Sequence, residues 1–474
     1  MYEKLGNFID GEWIENSKKG ENVLNPANEN VLAFLPHASG KDLEKSLESA
    51  DRGFKIWRNT PVQERAAILH KTADLIEDRA DKIAYIITLE QGKPIRESQG
   101  ELQRTVETFR WNAEYAIKNI DDRSVLRSNG LKQKVRVEPL GVSLGLTPWN
   151  FPAFLAARKL APALAAGCSM ILKASEETPG TAVALVRALS EAGLPKGVVN
   201  LVFGIPAEIS KKFFASDIVR KVSFTGSVPV GKQLANLASS GLKRCTFELG
   251  GHSPAIVCED SDLDIALSTL TSFKFRNSGQ VCIAPSRFYV HRKHYDSFVN
   301  GFVESAQSQK LGDGFEEATT MGPMANARRI DAMTNFIKNA VNSGAKLLTG
   351  GKRWGDVGYF WEPTILVDVP EESKIMKEET FGPIAPIIPF DSLDEAITKS
   401  NSLPYGLAAY VFTQSEKNTV KLVESLEAGG IAINSAAPVP SDLPYGGFKD
   451  SGYGYEGGIE GVEAYLHKKL VSLA

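Results

Sequence analysis

Apolar residues recur at helical spacing near the start of the chain. Leu43, Leu47, Ala50, Phe54 and Trp57 mark residues 41–58, and Ala66, Leu69, Ala73, Ile76, Ile83 and Ile87 mark 62–91. Each stretch has one apolar face, which predicts amphipathic helices. Gly92 and Pro94 stop the second, and another helical stretch runs to about residue 119. From residue 135 the pattern changes. Short apolar runs at 141–146, 169–173, 198–204 and 219–226 alternate with helix-like segments at about 154–167, 180–192, 206–215 and 229–240. Such alternation predicts an α/β fold, a parallel sheet with helices on its faces.

A second alternating set begins at 254–258 and continues through 287–291, 364–369, 407–413 and 430–435, predicting a second α/β unit. Between the first helices and the first sheet lies a hydrophilic stretch, 120–139, with Asn129-Gly130 between strand-compatible residues, the signature of a hairpin. No tandem repeat or low-complexity tract is present, which removes solenoids and linkers from consideration.

Composition narrows the function classes. The 474 residues are 43% hydrophobic and 23% charged, ordinary for a globular protein of two to four domains. A net charge of -3 provides no overall attraction for nucleic acid or anionic lipid. The N-terminus lacks a signal-peptide pattern and no apolar run is long enough to span a bilayer, which predicts a cytoplasmic protein without a membrane partner. Four cysteines without CxxC spacing suggest free thiols, and six scattered histidines form no ligand pattern, so no metal is expected.

Several stretches carry candidate chemistry. VSFTGSVPVG, 222–231, is a strand, a turn and a helix start. Gly226 permits close backbone approach, Ser227 can cap the helix, and the helix N-terminus offers N–H groups to a phosphate, although a tight turn without a ligand has the same pattern. LKASEETP, 172–179, puts Lys173 and Glu176 beyond the end of a strand, where α/β sheets bind ligands; they are either ribose and phosphate contacts or a solvated charge pair. TPWNFP, 147–152, holds Asn150, a turn residue or an amide donor to an oxyanion. CTFELGGHSP, 245–254, ends an apolar strand on Glu248, which either faces solvent or is kept with a raised pKa for proton transfer. In FRNSGQVCIAPS, 275–286, Cys282 is either an apolar filler or a nucleophile.

Taken together and in this order, TPWNFP, FTGS, ELGG, GQVC, EETFGP (378–383) and PYGGFKDSGYG (444–454) resemble the NAD(P)-dependent aldehyde dehydrogenase superfamily, from about residue 7 to the C-terminus. The resemblance implies that Cys282 is the nucleophile, Glu248 the general base and Asn150 the oxyanion donor, acting with the Cys282 backbone N–H. It implies that Pro148, Trp149, Lys173, Glu176, Gly226, Ser227, Glu379 and Phe381 contact the cofactor. The implied reaction passes hydride to nicotinamide, leaves a thioester on Cys282 and hydrolyses it with water activated by Glu248. Glu176 favours NAD, since a carboxylate near the ribose 2′ position repels the phosphate of NADP; Lys173 keeps NADP possible. The implied fold joins a Rossmann-like cofactor domain (1–119 and 140–245) to an α/β catalytic domain (246–445). A small β oligomerisation element (120–139 and 446–474) would link subunits into homodimers or homotetramers.

Within the superfamily, FLAARKLAPALAAG (154–167) and KFRNSGQVC (274–282) look most like succinate-semialdehyde and 2-oxoglutarate-semialdehyde dehydrogenases. That likeness makes Arg158 and Arg276 a clamp for a distal carboxylate, whereas alone they read as a helix-surface residue and a partner of a nearby acid. The serine that completes this clamp in some relatives falls near Val439, with Ser441 close by but out of register. The second cysteine of redox-switched relatives is Ala284 here. A dehydrogenase of small neutral aldehydes such as lactaldehyde or glycolaldehyde, and a non-catalytic superfamily member, are the competing readings. A CoA-acylating enzyme typically lacks the glutamate present at Glu248.

Overall fold

The apolar runs of the first segment form the centre of an eight-stranded sheet in a computed structural model that describes residues 2, 4–436 and 440–473. Five strands are parallel, in the spatial order Val199–Val202, Ser169–Lys173, Val142–Leu146, Val219–Thr225, Arg244–Glu248. The first three of these that the chain lays down are buried on both faces, as their unbroken apolar runs require of a covered parallel sheet. The chain starts in the middle, at Val142–Leu146, proceeds to one side, and then returns to the other. The loops leaving Val142–Leu146 and Val219–Thr225 therefore diverge, opening a crevice beyond the carboxyl ends of the strands.

After Glu248 the chain crosses within a few residues into a second, seven-stranded sheet. Its parallel strands run Thr364–Val367, Ile384–Phe390, Pro285–His291, Ser253–Val257, Ala408–Phe412, Gly430–Ile433, with Lys346–Thr349 antiparallel at one edge. Ile384–Phe390 escapes sequence reading because Pro386 and Pro389 interrupt it, and proline is normally excluded from central strands. Here it lies between two parallel neighbours.

The hairpin forms from Arg123–Leu126 and Lys132–Pro139, and Leu466–Leu473 adds a third antiparallel strand. The rest of the tail goes elsewhere: Gly452–Tyr453 pairs with Arg244–Glu248 at the edge of the first sheet, and Val462 of the helix Gly458–Glu463 enters the core beneath that sheet. The predicted 62–91 helix is two helices, Val62–Glu77 and Ala80–Gln91. Arg79, at φ -111 and ψ 15, breaks them without a glycine or proline to announce it. Gly92 ends the second in the left-handed conformation at φ 89, as its position predicts.

Candidate functional site

Cys282 lies where the two sheets meet, after a tight turn that begins as the helix Leu263–Phe275 ends. Asn277, Ser278 and Gly279 follow one another with φ of 49, 55 and 71. The left-handed region costs each non-glycine residue about 1 kcal/mol or more, so this turn persists only because its surroundings over-determine it. The Asn277 N–H donates to Glu97 at 2.9 Å and its side-chain amide to the Asn150 carbonyl at 3.0 Å. Ser278 donates to the Gly322 carbonyl at 2.7 Å, and the Gln280 side chain accepts from the Ala325 N–H at 2.9 Å. At Gly279 an added Cβ would sit 2.3 Å from the Gly382 carbonyl oxygen, so no other residue fits.

Asn150 is tied to the same turn. Its side-chain amide donates to the Gln280 carbonyl at 3.1 Å, leaving the second N–H for another acceptor, and its own carbonyl accepts from Lys93 at 2.7 Å. Lys93 is buried and paired with Glu101 at 2.7 Å, whose other oxygen accepts the N–H groups of Ala153 and Phe154 at the start of the helix Pro152–Ala166. A carboxylate is well placed at a helix N-terminus. Lys93 and Glu101 have no motif around them, and sequence reasoning missed both.

Burial pushes the Cys282 thiol up to about 12, against the pull of the Tyr445 hydroxyl, 3.7 Å from Sγ. Glu248, 3% exposed at its strand end, has neither carboxylate oxygen hydrogen-bonded among the described residues. Burial, reinforced by the charge of Glu456, holds its pKa well above the usual carboxylate range. Glu456 is the second missed acid. It accepts from Lys159 at 2.5 Å and Ser223 at 2.9 Å, and Lys159 also donates to Thr225 at 2.7 Å. The partners stand on the helix Pro152–Ala166, the strand Val219–Thr225 and the C-terminal tail, so only folding reveals them.

Two cavities meet at Cys282 and Glu248. The larger, about 540 Å³, is lined by Pro148, Trp149, Asn150, Gly226, Ser227, Glu379 and Phe381, bringing together most of the residues expected to touch a cofactor. Trp149 and Phe381 meet edge to face at 5.5 Å. Glu379 accepts from the Gly251 N–H at 3.3 Å, and burial raises its carboxyl to about 7. Ser227 occupies the N-cap of the helix Val228–Ser240 but does not cap it with its side chain, contrary to expectation. Pro229 at the second helical position removes one of the two N–H groups such a cap could bond. Asn326 and Arg329, also in this wall, keep a buried side-chain oxygen and nitrogen without partners among the described residues. Open volume, aromatic rings, a helix N-terminus and unsatisfied polar atoms together fit a dinucleotide. Lys173 and Glu176 do not line it. They form an ion pair at 2.5 Å beyond the end of the neighbouring strand, with the Lys173 carbonyl accepting from the Thr147 N–H at 3.1 Å.

The smaller cavity, about 60 Å³, is walled by Phe151, Phe154, Val281, Tyr445 and three arginines: Arg104, Arg158 and Arg276. Arg158 is 3% exposed, not on a helix surface. None of its guanidinium nitrogens is hydrogen-bonded among the described residues, although Nε lies 3.7 Å from Glu456. Its guanidinium sits over Phe154 and Tyr445 at 5.3 and 5.6 Å, and that of Arg276 sits over Phe151 at 5.3 Å. Ser441 pairs with the Thr108 hydroxyl at 3.1 Å, and Val439 lies outside the described residues. Arg104, on the helix Ile95–Asn119, carries no sequence signal.

The aldehyde dehydrogenase family model matches residues 13–471. The chain is 43% identical to a 4-(hydroxymethyl)benzenesulfonate dehydrogenase of Comamonas testosteroni over 98% of its own length and 97% of the relative's. It is 37% identical to the NADP(+) succinate-semialdehyde dehydrogenase of Escherichia coli K12, again over 98% and 97%. Among solved structures, the NAD+ complex of an aldehyde dehydrogenase from Bacillus cereus superposes with a TM-score of 0.96 at 36% identity, covering 99% of this chain and 96% of that one.

Proposed function

The chain belongs to the aldehyde dehydrogenase family, an NAD(P)-dependent oxidoreductase acting on aldehydes, and from that premise we propose that its substrate is an aldehyde carrying a distal anionic group, a semialdehyde such as succinate or 2-oxoglutarate semialdehyde. The observation that carries this reading is the Arg158 guanidinium, buried without a hydrogen-bond partner among the described residues, in the same wall as Arg276. Burying a guanidinium whose N–H groups make no hydrogen bond is costly, and a bound carboxylate offsets that cost with bidentate, charge-assisted hydrogen bonds. Two relatives bear names that share an anionic substituent remote from the reacting carbon, benzenesulfonate in one and succinate semialdehyde in the other.

In this reading Cys282 attacks the aldehyde carbon, and Asn150 with the Cys282 N–H holds the oxyanion. Bound NAD(P) supplies the acceptor for the hydride that leaves that carbon. Glu248 takes the proton of the water that releases the carboxylate product. Burial raises the pKa of both the Cys282 thiol and the Glu248 carboxyl in the ligand-free pocket. Ionisation of either then depends on what enters the two cavities. Glu379, Phe381, Trp149, Pro148, Gly226 and Ser227 hold the nicotinamide half, with Lys173 and Glu176 at the adenosine ribose and Glu176 favouring NAD. The first sheet with its helices is the cofactor domain, the second the catalytic domain, and the three-stranded sheet the element that joins subunits into dimers or tetramers in the cytoplasm.

Steady-state rates on C3 to C6 semialdehydes, set beside butanal and glycolaldehyde with both cofactors, test the substrate assignment. The semialdehydes should lead by at least about tenfold in kcat/KM, roughly 1.4 kcal/mol. Equal or better turnover of the neutral aldehydes overturns it.

A further inference from the structure

Arg104 has no place in a two-arginine clamp, yet it lines the same cavity as Arg158 and Arg276. It is half-buried and its guanidinium makes no hydrogen bond or ion pair among the described residues. Burial, and then the charge of nearby Arg276, lower its pKa, so the two guanidiniums face each other's field. The acids around them give their hydrogen bonds elsewhere: Glu101 holds Lys93 and two helix N–H groups, Glu97 accepts the Asn277 N–H, and Glu456, 3.7 Å from Arg158 Nε, accepts from Lys159 and Ser223. Three guanidiniums thus converge on one small space, and none of them is hydrogen-bonded to an acid among the described residues.

Building on the anionic-substrate reading above, we propose that the head group recognised by this cavity is a tetrahedral oxyanion with three terminal oxygens, a sulfonate or a phosphonate, held by Arg104, Arg158 and Arg276 together. A carboxylate presents two oxygens in one plane, which a single guanidinium fork already matches and two arginines saturate. The third arginine then finds no acceptor and adds only repulsion between like charges. A three-oxygen head group gives each arginine an oxygen of its own. The remainder of the substrate is a short aliphatic chain, because a cavity of about 60 Å³ is well below the roughly 150 Å³ of an engineered cavity that admits benzene.

The test uses the intact enzyme with NAD and four aldehydes of matched length: 3-oxopropanesulfonate, 3-oxopropylphosphonate, 4-oxobutanoate and butanal. At least one tetrahedral substrate should exceed 4-oxobutanoate by about tenfold or more in kcat/KM, and the better of the two identifies the head group. In Arg104→Gln that ratio should fall towards one, mainly through KM, with unfolding temperature and NADH binding serving as controls for folding. The more conservative Arg104→Lys should recover part of the ratio. If 4-oxobutanoate matches or beats both tetrahedral substrates while still exceeding butanal, this inference fails and the semialdehyde reading stands. If butanal equals all three, the anionic reading itself fails. Equal losses on all anionic substrates in Arg104→Gln would also overturn the specific role of Arg104.

Discussion

The two cavities that meet at Cys282 solve opposite electrostatic problems. The larger is lined by a carboxyl that burial keeps close to neutral, Glu379, by aromatic rings and by a helix N-terminus; the smaller is lined by three arginines without hydrogen-bonded anions among the described residues. One wall can accept a large ligand through shape and polar edges, and the other, on the reading proposed above, takes a small one of negative charge. The difference teaches that burial alone does not predict a side chain's task. Burial raises Glu379 to about 7, whereas a guanidinium cannot shed its charge and must find acceptors, as Arg287 does in three backbone carbonyls.

The sharpest way to break the comparison is to remove the sulfur at the junction of the two cavities. Cys282→Ala should lower aldehyde oxidation by about 10⁴-fold or more while NADH binding, read by fluorescence, persists; appreciable turnover would remove the nucleophile assignment. On the arginine side, Arg276→Ala should raise KM for semialdehydes by ~10 to 1000-fold, about 1.4 to 4 kcal/mol, and spare neutral aldehydes; equal losses on both would indicate damage to the fold. On the dinucleotide side, Glu176→Ser should shift the NADP-to-NAD ratio of kcat/KM upward by about tenfold. An unchanged ratio would remove Glu176 from cofactor selection.

The smallest expected effect concerns a buried cation that lines neither cavity. Lys274 is fully buried, its Nζ has no hydrogen-bond partner among the described residues, and burial lowers its pKa to about 7. Between about 7 and the ordinary lysine value of 10.5 the unfolded chain binds the proton that the native state has lost, so stability rises with pH across that window. Lys274→Met should leave turnover unchanged and flatten this rise, stabilising the protein more at pH 7 than at pH 10 in urea unfolding. A variant whose pH slope matches the parent's would show that Lys274 finds a partner in solution.

Most strands and helices were legible because their apolar periodicity is local, and the Ser169–Lys173 run matches its strand residue for residue. The exceptions have local causes. Ile384–Phe390 hides behind two prolines, and the break at Arg79 has no breaker residue. At the site, Cys282, Glu248 and Asn150 stood out because each sits in a recognisable motif. Tyr445 lay inside a quoted motif without suggesting its approach to sulfur. Lys93, Glu101, Arg104 and Glu456 stayed silent, since a charged residue reads as solvent-facing until something covers it.

The sequence by itself determined the alternation of strands and helices, the order of the motifs and the family they belong to, all of which depend on neighbours a few positions apart. Only the tertiary structure decided which charges meet. Lys159 and Glu456 are 297 positions apart yet hydrogen-bonded, and Arg104, Arg158 and Arg276 reach one cavity from three different elements. Electrostatic energy depends on distance and burial in space, and no spacing along the chain encodes either.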